Sequence, residues 1–177
     1  MTYSRPLIIS FMVCLLGCAD RQPLATVDYV DIEKFMGDWY VVANIPTMFE
    51  KNAHNPIESY RLNPDGSIAT TFTFNSGSFE GEEKVMTATG FIKNKYTNAE
   101  WGMQFIWPIK ADYRIVDLEQ DYQYTVVGRN KQDYVWIMAR QSQMPDEVYN
   151  KLRTMLVTMG YNIQQIQRAP HRYTPQQ

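Results

Sequence analysis

Large apolar and polar residues alternate with period two through most of the chain after Trp39, and the alternation breaks at short clusters of turn-forming residues. Period two is the signature of strands with one face buried. The first run, Trp39 to Ile45, is closed by Pro46 and followed by a loop over residues 46–55 that carries Met48 and Phe49. Seven further runs follow, at residues 57–62, 67–74, 84–93, 100–107, 113–118, 122–129 and 134–140. Asn63-Pro64-Asp65-Gly66, between the second and third runs, is a strong turn signal, because Pro presets one dihedral and Gly accepts positive φ. Glu119-Gln120-Asp121 and Asn130-Lys131-Gln132-Asp133 separate the last three runs. Eight consecutive strands with hairpin-length links predict an all-β fold, an antiparallel up-and-down meander. Closing it into an eight-stranded β-barrel removes the exposed edges.

The period changes twice outside this meander. A short helical turn over residues 32–36 precedes Gly37. After the eighth strand, Val148, Leu152, Met155, Leu156 and Met159 recur at helical spacing. Pro145 suits a first helical position, Asp146 and Glu147 favour the positive end of the helix dipole, and Gly160 suits the stop. This predicts one C-terminal α-helix packed on the outside of the barrel. A short strand is expected around residues 162–166, then a polar tail over 169–177.

Alternation also assigns faces. Ile68, Thr70, Phe72 and Phe74 share one side of the third strand; Trp101, Met103, Phe105 and Trp107 share one side of the fifth; Tyr134, Trp136, Met138 and Arg140 share one side of the eighth. The aromatic- and Met-rich sides are expected inside. A barrel of this size either packs solid or holds one small molecule. Ala88, Gly90 and Thr70 supply little volume on the expected inner faces, which leans toward a hollow. Its walls would be Phe72, Trp101, Met103, Phe105, Tyr113 and Trp136, with Met48 and Phe49 at the rim. The alternative is a structural protein whose barrel is a plug of its own side chains.

The N-terminus changes the picture most. Arg5 is followed by an apolar run to Leu16, too short to span a bilayer, which takes about 20 residues. This is the layout of an export signal. Leu15-Leu16-Gly17-Cys18 resembles the lipobox of bacterial lipoproteins. That resemblance implies that Cys18 is lipidated and becomes the first mature residue; an ordinary signal with an incidental cysteine is the alternative. Residue 19 is Ala rather than Asp, which implies the outer membrane, lipid-anchored and facing the periplasm. The chain then divides into a signal at 1–17, a lipidated tether at 18–30, a barrel domain at 31–168 and the tail.

Composition narrows the chemistry. Among 177 residues the net charge is −2, which gives no basis for a nucleic-acid partner. Cys14 leaves with the signal and Cys18 is consumed by lipid, so the mature chain has no disulfide and no thiol nucleophile. His54 and His171 are the only histidines, and no motif links them. No H-E-x-x-H, G-x-S-x-G or phosphate-binding glycine loop occurs, so the sequence offers no enzyme site, no metal site and no cofactor site.

Three features together resemble the lipocalin family: Gly37-Asp38-Trp39 opening the first strand after a helical turn, Asp121-Tyr122 between strands six and seven, and Arg140 ending strand eight. The family's usual Thr before the acidic residue is here Gln120. With the lipobox, the resemblance is to the bacterial branch that is similar to apolipoprotein D. It implies that Arg140 packs over Trp39 and closes the barrel floor, with Gly37, Trp39 and Arg140 structural. It also implies a cup for fatty acids or lysophospholipids, serving lipid storage, transport or envelope maintenance.

Overall fold

The computed structural model describes residues 22–172. The signal and Cys18 lie outside the described residues. A single turn of helix, α1 (Ile32–Phe35), is capped by Asp31, whose carboxylate accepts from the amides of Glu33 (3.1 Å) and Lys34 (3.3 Å). Eight antiparallel strands follow: β1 (Gly37–Ile45), β2 (Ala53–Leu62), β3 (Ile68–Ser76), β4 (Glu83–Ile92), β5 (Glu100–Ile106), β6 (Ile109–Leu118), β7 (Tyr124–Gly128) and β8 (Val135–Ala139). Each pairs with the next, β8 pairs with β1, and β1 pairs with β2, so the sheet closes on itself. Helix α2 (Asp146–Thr158) comes next, with Pro145 as the residue before its first turn rather than within it.

The outer face of β8, carrying Val135, Ile137 and Ala139, is buried with Val42, Val126 and the α2 residues Tyr149, Leu152 and Leu156. Tyr149 belongs to this stripe although its ring is amphipathic; Val148, Met155 and Met159 lie at its margin. Burying β1 on both faces explains why every residue from Val41 to Ile45 is buried, in place of simple alternation. The expected strand at 162–166 is instead a turn of 3-10 helix (Ile163–Gln165), and the pairing comes two residues later in β9 (Gln167–Arg168), which adds to β1.

Several boundaries move. β2 begins at Ala53, inside the expected loop, and β6 begins at Ile109, four residues early. Both extensions lie at one end of the barrel, next to register shifts at His54/Ile57 and Met103/Ile106. The second shift breaks the expected inward row of β5: Trp101 and Met103 are buried, but Phe105 and Trp107 are exposed.

Both ends of the described residues are tied to the barrel. Residues 24–30, expected as part of a free tether, are not free: Leu24 and Val30 are buried. The Leu24 amide donates to Asn130 Oδ1 (2.8 Å), Val27 N to Ile115 O (3.0 Å) and Val30 N to Thr97 O (2.8 Å). Arg114 fixes this segment by donating to Leu24 O (3.1 Å) while pairing with Glu100 (3.0 Å). The described part of the tail, residues 169–172, is likewise held: Ala169 N donates to Val42 O, Asn55 N to Pro170 O, and His171 Nε2 lies 2.9 Å from Val41 O.

Candidate functional site

The barrel interior is two different places. Its closed half is solid. Phe35 rises from α1 with its ring 5.1 Å from Trp39 and 5.5 Å from both Tyr60 and Trp101. Trp101 stacks on Tyr113 at 5.1 Å and 12°. Each such aromatic pair contributes about 0.5–1.5 kcal/mol beyond its buried area. Gly90 belongs to this plug. A Cβ there would meet Met103 Sδ at 3.2 Å and Trp101 Cε3 at 3.4 Å, so its missing side chain makes room for packing and not for a guest. Thr70 and Ala88 likewise lie outside the hollow.

Beneath the plug, the barrel is sealed by a cation. Arg140 sits 3.8 Å from the Trp39 ring and donates to the carbonyls of Lys34 (2.7 Å), Asp38 (2.8 Å) and Tyr122 (3.3 Å). Trp39 Nε1 donates in turn to Phe35 O at 2.8 Å. Gly37 adopts φ +91°, and a Cβ there would lie 3.5 Å from Arg140 Nη1.

The other half is open. A cavity of about 470 Å³ reaches from the Tyr60–Tyr113 floor to the rim. Its walls are Phe72, Met86, Met103, Val127, Trp136 and Met138. The volume lies within the range of small-molecule sites, about 300–1,000 Å³. Of the six residues read from sequence as walls, Phe72, Met103, Tyr113 and Trp136 line it, Phe105 stands at the mouth, and Trp101 does not reach it because Tyr113 covers it. Met48 and Phe49 are at the rim, 73% and 64% exposed.

Two carboxylates distinguish this cavity from a plain apolar cup. Glu50, in the β1–β2 loop, accepts from Asn44 Nδ2 (2.8 Å), the Thr47 amide (3.2 Å) and Trp136 Nε1 (3.4 Å), which ties the loop to the adjacent strands β1 and β8. Burial raises its pKa, and these hydrogen bonds oppose the rise. Glu58 lies deeper, two positions before Tyr60 on the same face of β2, and lines the cavity. Burial, reinforced by the Glu50 charge, raises it from 4.5 to about 8. Near neutral pH it therefore carries a proton and can donate as well as accept. On the floor the Tyr60 and Tyr113 hydroxyls bond each other at 2.5 Å, and burial holds both phenols protonated.

Residues 30–171 match the family model described as a lipocalin-like domain. The chain belongs to the lipocalin family. It is 28% identical to temperature-induced lipocalin-1 of Arabidopsis thaliana over 88% of this chain and 87% of that protein. It is 23% identical to the outer membrane lipoprotein Blc of Escherichia coli K12, covering 84% and 85% of the two chains. The solved structure of insecticyanin from the tobacco hornworm Manduca sexta superposes with a TM-score of 0.65 at 17% identity, covering 89% of this chain and 87% of that one. Lipocalins are typically binding proteins without enzymatic activity, in keeping with a hollow built from walls and not from a catalytic constellation. Within the lipocalin barrel, the sequence reading missed the cavity residues Glu50, Met86 and Val127, and it missed Glu58. Its alternation with Tyr60 was visible along the second strand, but only closure shows that this face meets Tyr113 fifty-three residues away.

Proposed function

We propose that this lipocalin is a membrane-anchored carrier that holds one single-chain lipid, a fatty acid or a lysophospholipid, in the open half of its barrel. The observation that carries the reading is the 470 Å³ apolar cavity, open at one end and floored by aromatic rings. Its volume equals that of roughly 15 liquid water molecules, which suits one slender molecule. Methionine and aromatic walls adapt to a flexible chain. The acyl chain runs down toward Tyr60 and Tyr113, and the head group stays at the mouth beside Arg129 and Asp112. Lipidation of Cys18 moors the protein at the outer membrane on its periplasmic side; the lipobox residues and the likeness to Blc outer membrane lipoproteins support this.

Trp136 is the reporter. It is the one tryptophan on the cavity wall, so titration with lysophosphatidylcholine or palmitate should give a saturable change in emission that Trp136→Phe removes. A purely structural barrel gives no saturable change. Native mass spectrometry of protein taken from cells would name the bound chemical class, and Cys18→Ser should release the protein from the membrane fraction.

A further inference from the structure

We infer that the mouth of the barrel docks directly on the bilayer surface, so that the cavity opens into the lipid that holds the anchor. The surface itself is independent of lipidation; the orientation argument rests on the proposed anchoring at Cys18. Eleven large apolar side chains are exposed among the described residues, and six of them stand on two loops at this one end. Met48 (73%) and Phe49 (64%) lie on the β1–β2 loop; Phe105 (55%), Ile106 (73%), Trp107 (83%) and Ile109 (71%) lie on the β5–β6 hairpin. Four of the six also line the cavity, so the patch borders its opening at two of the connecting loops. Exposed apolar patches rimmed by polar residues mark interaction surfaces.

Two observations select a bilayer as the occupant. The first is where the chain arrives. The Leu24 amide is held by Asn130 in the β7–β8 link, the same link that contributes Arg129 and Tyr134 to the cavity rim. The described chain therefore begins at the level of the mouth. Cys18 is four residues before Gln22, a reach of at most about 14 Å. An anchor on so short a leash holds the open end, not the closed end, against the leaflet. The second is the chemistry of the rim. Trp107 stands at the hairpin tip, and tryptophan partitions to the boundary between head groups and acyl chains. Lys51 and Lys131 are exposed in neighbouring loops at the same end, and four acidic groups there are paired, Glu80 with Arg172, Glu82 with Lys84, Asp133 with Arg129 and Asp112 with Arg114, which leaves Glu83 as the exposed acid at the start of β4. An anionic leaflet meets unpaired cations beside the apolar tip. The closed end exposes fewer large apolar side chains, Tyr29, Leu62 and Tyr96, and they line no cavity.

The test uses full-length protein and vesicles of phosphatidylethanolamine and phosphatidylglycerol whose acyl chains carry bromine, which quenches tryptophan on contact. Trp107→Phe should remove a large part of the quenching seen with the unsubstituted protein, the remainder coming from lipid that reaches Trp136. In a Cys18→Ser background, where only the rim can bind, Trp107→Ser with Ile106→Ser should weaken vesicle binding about tenfold or more, and Tyr96→Ser should leave it unchanged. Equal quenching with and without Trp107 overturns the docking. So does a rim substitution that shifts the oligomeric state on gel filtration while leaving vesicle binding intact, since the rim would then face a second copy. Failure of the anchor shows separately, as mature protein whose intact mass carries no acyl groups; quenching at Trp107 would still report docking.

Discussion

Replacing Glu58 with Gln should make this protein more stable, by an amount that depends on pH. The native carboxyl titrates near 8 because burial, reinforced by the nearby Glu50 charge, disfavours its charged form, whereas in the unfolded chain it titrates near 4.5. Between those values the unfolded chain has lost the proton and the native state still holds it. Stability therefore falls as pH rises across this window. The distance from 4.5 to 8, at about 1.4 kcal/mol per unit, sets an upper bound of roughly 5 kcal/mol once the pH exceeds 8, because the half-buried carboxyl faces a cavity open to water. At pH 7 the same reasoning gives at most roughly 3 kcal/mol, and below pH 4.5 it gives nothing. Glutamine keeps the shape and removes the titration. Urea unfolding of both proteins at pH 4, 7 and 8.5 reads the difference directly. The two should agree within about 1 kcal/mol at pH 4, with the variant ahead by at most roughly 3 kcal/mol at pH 7 and further ahead at 8.5. A difference that stays constant across the three pH values would refute the reasoning, because a packing or hydrogen-bond effect of the amide carries no such slope.

Arg140→Ala removes a cation stacked on Trp39 and leaves three carbonyls without their donor, so it should cost about 2–4 kcal/mol in thermal or urea unfolding. Arg140→Lys should recover only part of this, since one ammonium cannot reproduce the planar fork that reaches Lys34, Asp38 and Tyr122. Ala111→Phe places a ring in the hollow instead of the plug; it should weaken lysophosphatidylcholine binding at least about tenfold in the fluorescence titration while changing stability by less than about 1 kcal/mol.

What could be read along the chain was whatever depends on near neighbours. Strand periodicity is set by the alternation of adjacent side chains, and it located all eight strands. Helical spacing located α2 and most of its buried face in the same way. Gly37, Trp39 and Arg140 were legible as a family pattern, and their meeting required only that strands one and eight be neighbours.

Tertiary structure alone decided how the interior is divided. Filling a barrel is a sum of volumes contributed by strands far apart in sequence, and no local pattern carries that sum. Trp101 and Phe105 share one face by alternation, yet a register shift after Met103 sends one into the plug and the other to the mouth. Gly90 suggested empty space along its strand, but Trp101 and Met103 from the adjoining strand occupy it. The segment from Leu24 to Val30 has a tether's mixed composition, and only the grooves and carbonyls of the finished barrel show that it is bound. Glu58 follows the same logic: a glutamate in an alternating strand is ordinary until closure buries it in a largely apolar cavity beside a second carboxylate, Glu50.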